Sequence, residues 1–382
     1  LTKVYLKKNE DHRIKRGHFW IFSNEIHHIE GEVENGAIVE AVSFNGRSLG
    51  FGFYNKNSLI AVRLLHQTYS GSFENYAVEM LQNALSLRKS VYPERNSFRL
   101  VFSESDFLPG LIIDKYNNTY VLQVNSFGME KHIDVIVRKL KDLFDAENIF
   151  SSNEAHFRKL EGLPEEDTIY SGIRTEETID DGKVKYKINF DESQKTGFFF
   201  DQHDDREFIE RLVKGKSVLD AFCNAGGFGF HAMYAGASHV TFVDSSQNAV
   251  TSVNENYKLN NFSATYEAVK EDVFAYLDGC IKAGKKFDVV ILDPPAFAKS
   301  RKSLTAALKK YSQMNRLGAG CLNAGGFLVT SSCSYHVKEK DFTDSINPHL
   351  QMIYFNGASL DHPRLPAMEE TGYLKFGVFR KS

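Results

Sequence analysis

Lys216-Ser217-Val218-Leu219-Asp220-Ala221-Phe222-Cys223-Asn224-Ala225-Gly226-Gly227-Phe228-Gly229 carries a short apolar run into a glycine-rich turn. The run has strand length, and the residues after the turn open a helix. The same unit recurs downstream. Val240-Thr241-Phe242-Val243-Asp244 precedes the helical pattern Gln247–Leu259. Phe287-Asp288-Val289-Val290-Ile291-Leu292-Asp293 and Gly326-Phe327-Leu328-Val329-Thr330-Ser331-Ser332 add two more strands, and Tyr373–Phe379 closes the chain. Apolar strands alternating with helices predict a mostly parallel sheet covered on both faces. Ligands of such sheets bind outside the carboxyl ends of the strands. Asp220, Asp244, Asp293 and Cys333 all fall at or just past such ends.

Upstream the pattern changes. Residues 1–70 read as short strands punctuated by Gly31, Gly36, Gly46, Gly50 and Gly52, the pattern of a small β-barrel. Helical spacing runs from Phe73 to Leu87, with Ser72 as N-cap and Tyr92-Pro93 as its end. Strands are predicted at 98–102, 110–114, 119–124 and 148–152, and a helix over 129–143, which makes a modest α+β module. The acidic, polar stretch 161–182 reads as a linker or long loop.

The 382 residues carry 46 basic and 49 acidic side chains, a net charge of −3, which excludes a globally basic nucleic-acid binder. The distribution is uneven. Pro294 to Lys338 contains no Asp or Glu but holds Lys299, Arg301, Lys302, Lys309, Lys310, Arg316 and Lys338, and residues 1–20 are also basic. Two basic segments admit a polyanion partner as readily as two solvated faces. No apolar run approaches the length of a membrane span, and the N-terminus lacks a signal-peptide stretch, so no membrane association and a cytoplasmic location are expected. The four cysteines lack CxxC spacing, so neither a metal site nor a disulfide framework is expected.

The glycine segment is not GxGxxG, and no further basic residue lies close enough to neutralise a pyrophosphate. Asp220 beside the glycines suits a cationic amine better than a phosphate. Asp244 suits ribose hydroxyls, and Asp272, after a third short strand, an adenine amine. An adenosyl ligand with a charged amino-acid tail, S-adenosylmethionine, fits this series; NAD is the competing reading. Asp293-Pro294-Pro295-Ala296-Phe297 caps a buried strand. Its prolines remove amide donors and leave carbonyls free, and Phe297 offers a ring for a planar base. Cys333, at the next strand end, is either a nucleophile or a buried structural thiol. His336 and Lys338 lie near enough in sequence to lower its pKa. Cys223, Cys280 and Cys321 read as structural.

Lys195–His203, the glycine segment, Asp293–Phe297 and Ser332-Cys333-Ser334 occur together in an order and spacing that resembles the bacterial class I methyltransferases forming 5-methylcytosine in 23S ribosomal RNA, the ribosomal RNA large subunit methyltransferase I type. Val4-Tyr5-Leu6-Lys7 and Gly17–Ser23 resemble that family's PUA domain, and Asp361-His362-Pro363 and Gly372–Lys375 its tail. The resemblance implies an α/β fold: a Rossmann-like class I methyltransferase domain (186–382) preceded by a PUA-like RNA-binding β-barrel (1–70) and a small α+β domain (71–185). Cys333 and Asp293 become the expected catalytic pair. Asp201, Gln202, Arg206, Asp220, Phe222, Asn224, Gly226, Gly227, Asp244, Ser245, Ser246, Asp272, Val273 and Asp293 are expected around S-adenosylmethionine. Pro294, Pro295, Phe297, Lys299, Arg301 and Lys302 are expected on the RNA side. Proline stands where many RNA cytosine-5 methyltransferases carry a second cysteine. The Asp-Pro-Pro-aromatic shape also resembles amino-group methyltransferases, and relatives of similar architecture methylate guanine. The rival readings are therefore an amino-group or guanine methyltransferase and a non-catalytic RNA-binding protein. Whether the chain forms a homodimer stays open.

Overall fold

Seven strands in the second half of the chain form one sheet in the computed structural model, which describes residues 1–192, 195–298 and 300–382. In chain order the elements are α1 (His203–Ile209), β1 (Ser217–Ala221), α2 (Gly227–Tyr234), β2 (His239–Asp244), α3 (Gln247–Leu259), β3 (Thr265–Lys270), α4 (Val273–Ala283), β4 (Phe287–Leu292), α5 (Leu304–Gly320), β5 (Leu322–Ser332), β6 (Gln351–Asn356) and β7 (Lys375–Arg380). Their spatial order is β3-β2-β1-β4-β5-β7-β6. The first five run parallel, and β7 lies antiparallel to both β5 and β6. The order reverses between β1 and β4, where a ligand crevice opens in such sheets.

The central strands form because both of their faces are covered. Val218, Leu219, Val289, Val290 and Leu292 have no exposed surface. Leu219, Val290 and Leu292 belong to one core with Leu277 of α4 and Tyr311 and Met314 of α5. Each such aliphatic side chain contributes about 1.5–3 kcal/mol on burial.

The chain divides into two compact units. One comprises Leu1–Glu177, Ile188–Phe200 and Leu360–Thr371; the other comprises Thr178–Lys187, Asp201–Ser359 and Gly372–Ser382. The first unit holds a six-stranded sheet built from residues 3–64 and a five-stranded sheet built from residues 97–171. Arg63, on a strand of the six-stranded sheet, pairs with Glu104 at 2.8 Å and Glu161 at 3.0 Å. Phe73–Val91 is helical, and Ser72 accepts from the Asn75 amide as its cap.

Two expectations about the chain before residue 186 fail. The helix expected over 129–143 is two helices, Phe127–Lys131 and Ile133–Phe144. The Ser126 side chain caps the first. His132 then leaves the helical course, and its ring stacks on Phe53 and Phe73. The stretch read as a linker contains strands. Ile169–Ser171 pairs antiparallel with Asn148–Ser151, and Glu176–Asp180 pairs with Lys185–Asn189. Charge on edge strands discourages unwanted pairing, and it is this charge that makes the stretch look like a loop.

The second unit contains a buried histidine held between two acids. The His231 ring lies 2.7 Å from Asp181 through Nε2 and 2.7 Å from Glu210 through Nδ1, with no surface exposed. Burial opposes the charged ring, but the two carboxylates outweigh it and hold the pKa above the ordinary 6.5. Asp181 and Glu210 lie below their ordinary values, because the imidazolium outweighs their own desolvation. The His231 contribution is therefore complete below pH 6.5 and is lost as pH rises through the raised value. The acids' contribution is present above their ordinary range and is lost as pH falls through the lowered values. His231→Gln should cost about 3–5 kcal/mol at pH 6, measured by urea denaturation. The gap from wild type should narrow on raising the pH, and a gap of constant size would contradict the assignment.

Candidate active site

β1 delivers Asp220 to the crevice, where it is 1% exposed and accepts the Gly229 amide at 2.8 Å. After Asp220 the chain turns sharply. Phe222, Asn224 and Gly226 have φ of 62°, 47° and 86°, left-handed values that only glycine adopts without cost. Asn224 reaches across to Asp244, its amide donating to Oδ2 at 3.1 Å, while the Ser246 amide donates to Oδ1 at 2.9 Å. Asp244 thus fastens the glycine turn to the end of β2. Ser246 caps α3 through its side chain, and Ser245 is exposed beside it.

At the end of β3, Asp272 is exposed and caps α4, its Oδ1 accepting from the Ala275 amide at 3.0 Å. Val273 opens α4 with its side chain 2% exposed, so it serves the core.

The reading that no basic residue lies close enough to neutralise a pyrophosphate holds for the segment's own sequence but not in space, where Arg206, already expected around the cofactor, lies against the glycine turn. Arg206 of α1 packs against it, so closely that a Cβ on Gly227 would lie 2.7 Å from Nε. The guanidinium comes from the preceding helix, which sequence adjacency to the turn does not reveal. Just before α1, Asp201 and Gln202 are 7% and 3% exposed. Asp201 Oδ2 accepts from the Tyr373 hydroxyl at 2.5 Å, and Gln202 Nε2 donates to Asp293 at 2.9 Å. Asp201 Oδ1 and Gln202 Oε1 are buried without a hydrogen-bond partner among the described residues. Both atoms are acceptors, so the group that completes them is a donor.

β4 ends at Leu292, opposite Thr330 of β5, which places Asp293 beside Ser331. The Ser331 hydroxyl donates to Asp293 Oδ1. Ser331, Ser332 and Ser334 are at most 1% exposed, and Cys333 between them is half-buried. The serines are held by α5: Tyr311 Oη lies 3.0 Å from Ser332 Oγ and 3.0 Å from Ser334 Oγ. Cys333 Sγ lies 4.0 Å from the Pro294 carbonyl oxygen. The other three thiols are buried. Burial pushes all three up in pKa, Cys321 to about 12, so they stay protonated and inert.

Phe297 is half-buried, its ring 4.7 Å from Tyr311 with the Lys310 ammonium 4.3 Å from its centroid. Pro295 is exposed and Pro294 buried. Arg301 and Lys302 are exposed on a short turn before α5, and Lys299 lies outside the described residues. Sequence reading missed Ser331, Tyr311, Tyr373 and Lys375. The last had a signal, a lysine inside the otherwise apolar run Tyr373–Phe379.

Electrostatically the crevice is built for positive charge. Desolvation pushes Asp220 up to about 8 and Asp293 up to about 6, and Asp205, with no exposed surface, well above its ordinary value. A raised carboxyl pKa is stored unfavourable energy that a cation relieves. For Asp293 the native state binds its proton more tightly than the unfolded chain. Stability therefore falls as pH rises from about 3.8 to about 6 and is level above that. Asp293→Asn should raise stability by about 1–3 kcal/mol at pH 7.5 and by much less at pH 4. Denaturant titrations at the two pH values check this; destabilisation at pH 7.5 would contradict it.

Comparison with known proteins gives a consistent result. Residues 4–67 match the PUA-like domain family, and residues 199–332 match the family described as conserved hypothetical protein 95. A Methanocaldococcus jannaschii protein, provisionally named a ribosomal RNA large subunit methyltransferase, is 37% identical over 385 residues, covering 98% of this chain and 97% of its own. Ribosomal RNA large subunit methyltransferase I of Aliivibrio fischeri is 36% identical over 388 residues, covering 98% of each chain. Among solved structures, a Streptococcus mutans protein provisionally named a SAM-dependent methyltransferase shares the fold, with a TM-score of 0.84 at 18% identity and full coverage of both chains. Another, solved with SAH, gives 0.85 at 18% identity, also over the full length of both.

Proposed function

Because the chain belongs to the ribosomal RNA large subunit methyltransferase I family, we propose that it methylates C5 of a cytosine in 23S ribosomal RNA, using S-adenosylmethionine, with Cys333 as the attacking thiol. The observation that carries this reading is Cys333 itself. It is the half-buried thiol among three buried ones, at a strand end beside the strand end that holds Asp293.

Bound S-adenosylmethionine supplies an electrophilic methyl group. Its amino-acid tail carries an ammonium, the donor that Asp201 Oδ1 and Gln202 Oε1 lack. Asp220, Arg206, Phe222, Asn224, Gly226 and Gly227 line this end of the site. Asp244 with Ser245 and Ser246 takes the ribose end, and Asp272, with the backbone of Val273, takes the adenine end. Cys333 attacks C6 of the cytosine, forming an S–C6 bond and making C5 enamine-like. Asp293, with its carboxyl pushed up to about 6, shares a hydrogen bond with the N3/N4 edge and stabilises the adduct. When C5 takes the methyl group, S-adenosylhomocysteine is the leaving group; a water-borne base then takes the C5 proton, the C5–C6 double bond re-forms, and the S–C6 bond breaks to release Cys333 as thiolate. Pro294, Pro295 and Phe297 face the base, which must be single-stranded or flipped.

In this reading residues 1–70 form an RNA-binding PUA-like domain, 71–185 a central domain and 186–382 the methyltransferase domain. Arg301 and Lys302 add phosphate contacts. Among the described residues no helix is long and apolar enough to cross a membrane. The cytoplasm is the proposed place of action, and a homodimer is compatible with the reading.

Two variants test it. Cys333→Ser should abolish transfer of labelled methyl to ribosomal RNA while leaving cofactor affinity unchanged, since a hydroxyl without a strong base is a far weaker nucleophile. A fully active Cys333→Ser enzyme would favour the amino-group reading centred on Asp293. Asp244→Ala should weaken S-adenosylmethionine binding by about 1–3 kcal/mol in calorimetry; unchanged affinity would remove Asp244 from the cofactor site.

A further inference from the structure

We propose that Lys310 grips a phosphate of the RNA strand beside the target cytosine, and that the rings of Phe297 and Phe274 hold its ammonium ready for that contact. The inference deepens the ribosomal RNA reading and rests on it. Lys310 is exposed on α5, with its Nζ 4.3 Å from the centroid of the Phe297 ring and 5.3 Å from that of Phe274. Both distances lie within cation–π range. Phe297 belongs to the motif that follows β4, and Phe274 to the first turn of α4, next to Asp272 and Val273. The two rings lie 6.4 Å apart. The ammonium is thereby held between a residue of the proposed base side and a residue beside the proposed adenine end. Phe297 in turn lies 4.7 Å from Tyr311, whose hydroxyl is 3.0 Å from the Oγ of both Ser332 and Ser334, the neighbours of Cys333. This chain of contacts ties Lys310 to the strand end that carries the thiol.

Charge decides what such an ammonium takes. Among the described residues no carboxylate pairs with Lys310. The chain from Pro294 to Lys338 holds no Asp or Glu at all. On α4, which packs against α5, Asp278 pairs with Lys282 at 2.5 Å and Asp272 caps its own helix. A ring attracts a cation without neutralising it, so the charge and N–H donors of the ammonium stay available to an anion. Cytosine offers no anionic group, but the backbone that carries it does, and a base drawn out of its stack brings that backbone to the rim of the site. Holding a long, flexible side chain in place beforehand lowers the entropy cost of the contact. Arg301, Lys302 and Lys309 are exposed on the same segment, and among the described residues no ring holds any of them. A solvated-face account, in which Lys310 is one of several interchangeable cations, predicts that Lys309 and Lys310 contribute alike.

The test reads binding and does not need turnover. Retention of protein-free 23S ribosomal RNA on filters is measured over a salt series for the full chain and its variants. Lys310→Met keeps the apolar stem against the rings and removes the charge. It should bind about three- to tenfold more weakly at about 0.1 M salt and flatten the slope of log affinity against log salt by about one. Lys310→Arg should keep the wild-type slope, and Lys309→Met should stay much closer to wild type than Lys310→Met does. Phe274→Leu should weaken binding in the wild-type background and have no further effect in Lys310→Met, because the ring acts through the ammonium. S-adenosylmethionine affinity of Lys310→Met, measured by calorimetry, should be unchanged. Equal slopes in wild type and Lys310→Met, equal losses in Lys309→Met and Lys310→Met, or a Phe274→Leu effect that persists without the lysine would each overturn the inference. A wild-type chain whose RNA affinity does not respond to salt would overturn it together with the ribosomal RNA reading. A steep wild-type slope that Lys310→Met leaves intact overturns the part played by Lys310 alone.

Discussion

Parallel pairing of β4 with β5 is the constraint on which the candidate site depends. Leu292 sits opposite Thr330, so the next residues out of the sheet are Asp293 on one strand and Ser331-Ser332-Cys333 on the other. A register slip of one residue would turn these side chains to the opposite face. The register is held by side chains that cannot be exchanged between faces: Val290 and Leu292 pack on α4 and α5, and Thr330 donates to Asn315 of α5 at 2.8 Å. Antiparallel addition of β7 on the far side of β5 then brings Lys375 to Ser332. A purely parallel sheet would need a crossover to supply a residue at that point.

The same architecture stores electrostatic cost. Asp205, Asp220 and Asp293 all have carboxyls pushed up by desolvation, and mutual repulsion adds to it. Asp201 and Gln202 bury acceptors with no partner among the described residues. Features of this kind persist only where the surrounding core over-determines them. Here the core is the double-sided packing of β1 and β4. A bound cation with donors relieves the cost, so the apo crevice is less stable than it would be with neutral side chains, and binding is correspondingly favoured.

Much of this architecture is legible in the amino-acid sequence. Short apolar runs locate four of the five parallel strands, β1, β2, β4 and β5, because strands buried on both faces must be continuously apolar; the edge strand β3 is largely exposed and carries no such run. Asp220, Asp244 and Asp293 were found because they terminate those runs. The limits are equally physical. Ser331 and Tyr311 matter through contacts between strand and helix, which no local pattern encodes. Lys375 lies 43 residues after Ser332 and comes opposite it by antiparallel pairing; only the oddity of a lysine in an apolar run hints at it. The reading that no basic residue neighbours the glycine turn takes proximity in sequence for proximity in space, since Arg206 of α1 lies against it. The strands near Ile169 and Glu176 were hidden by edge charge, and the break at His132 by a helical period that continues across it.

The central claim is covalent attack by Cys333. RNA containing 5-fluorocytosine at the target position tests it most directly, since fluorine at C5 blocks the elimination that frees the thiol. The account predicts a protein–RNA species that survives denaturing gel electrophoresis with the wild-type chain and S-adenosylmethionine, and none with Cys333→Ser. Methylation of the natural RNA without any trapped species on the fluorinated one, or a trapped species that persists in Cys333→Ser, would contradict it.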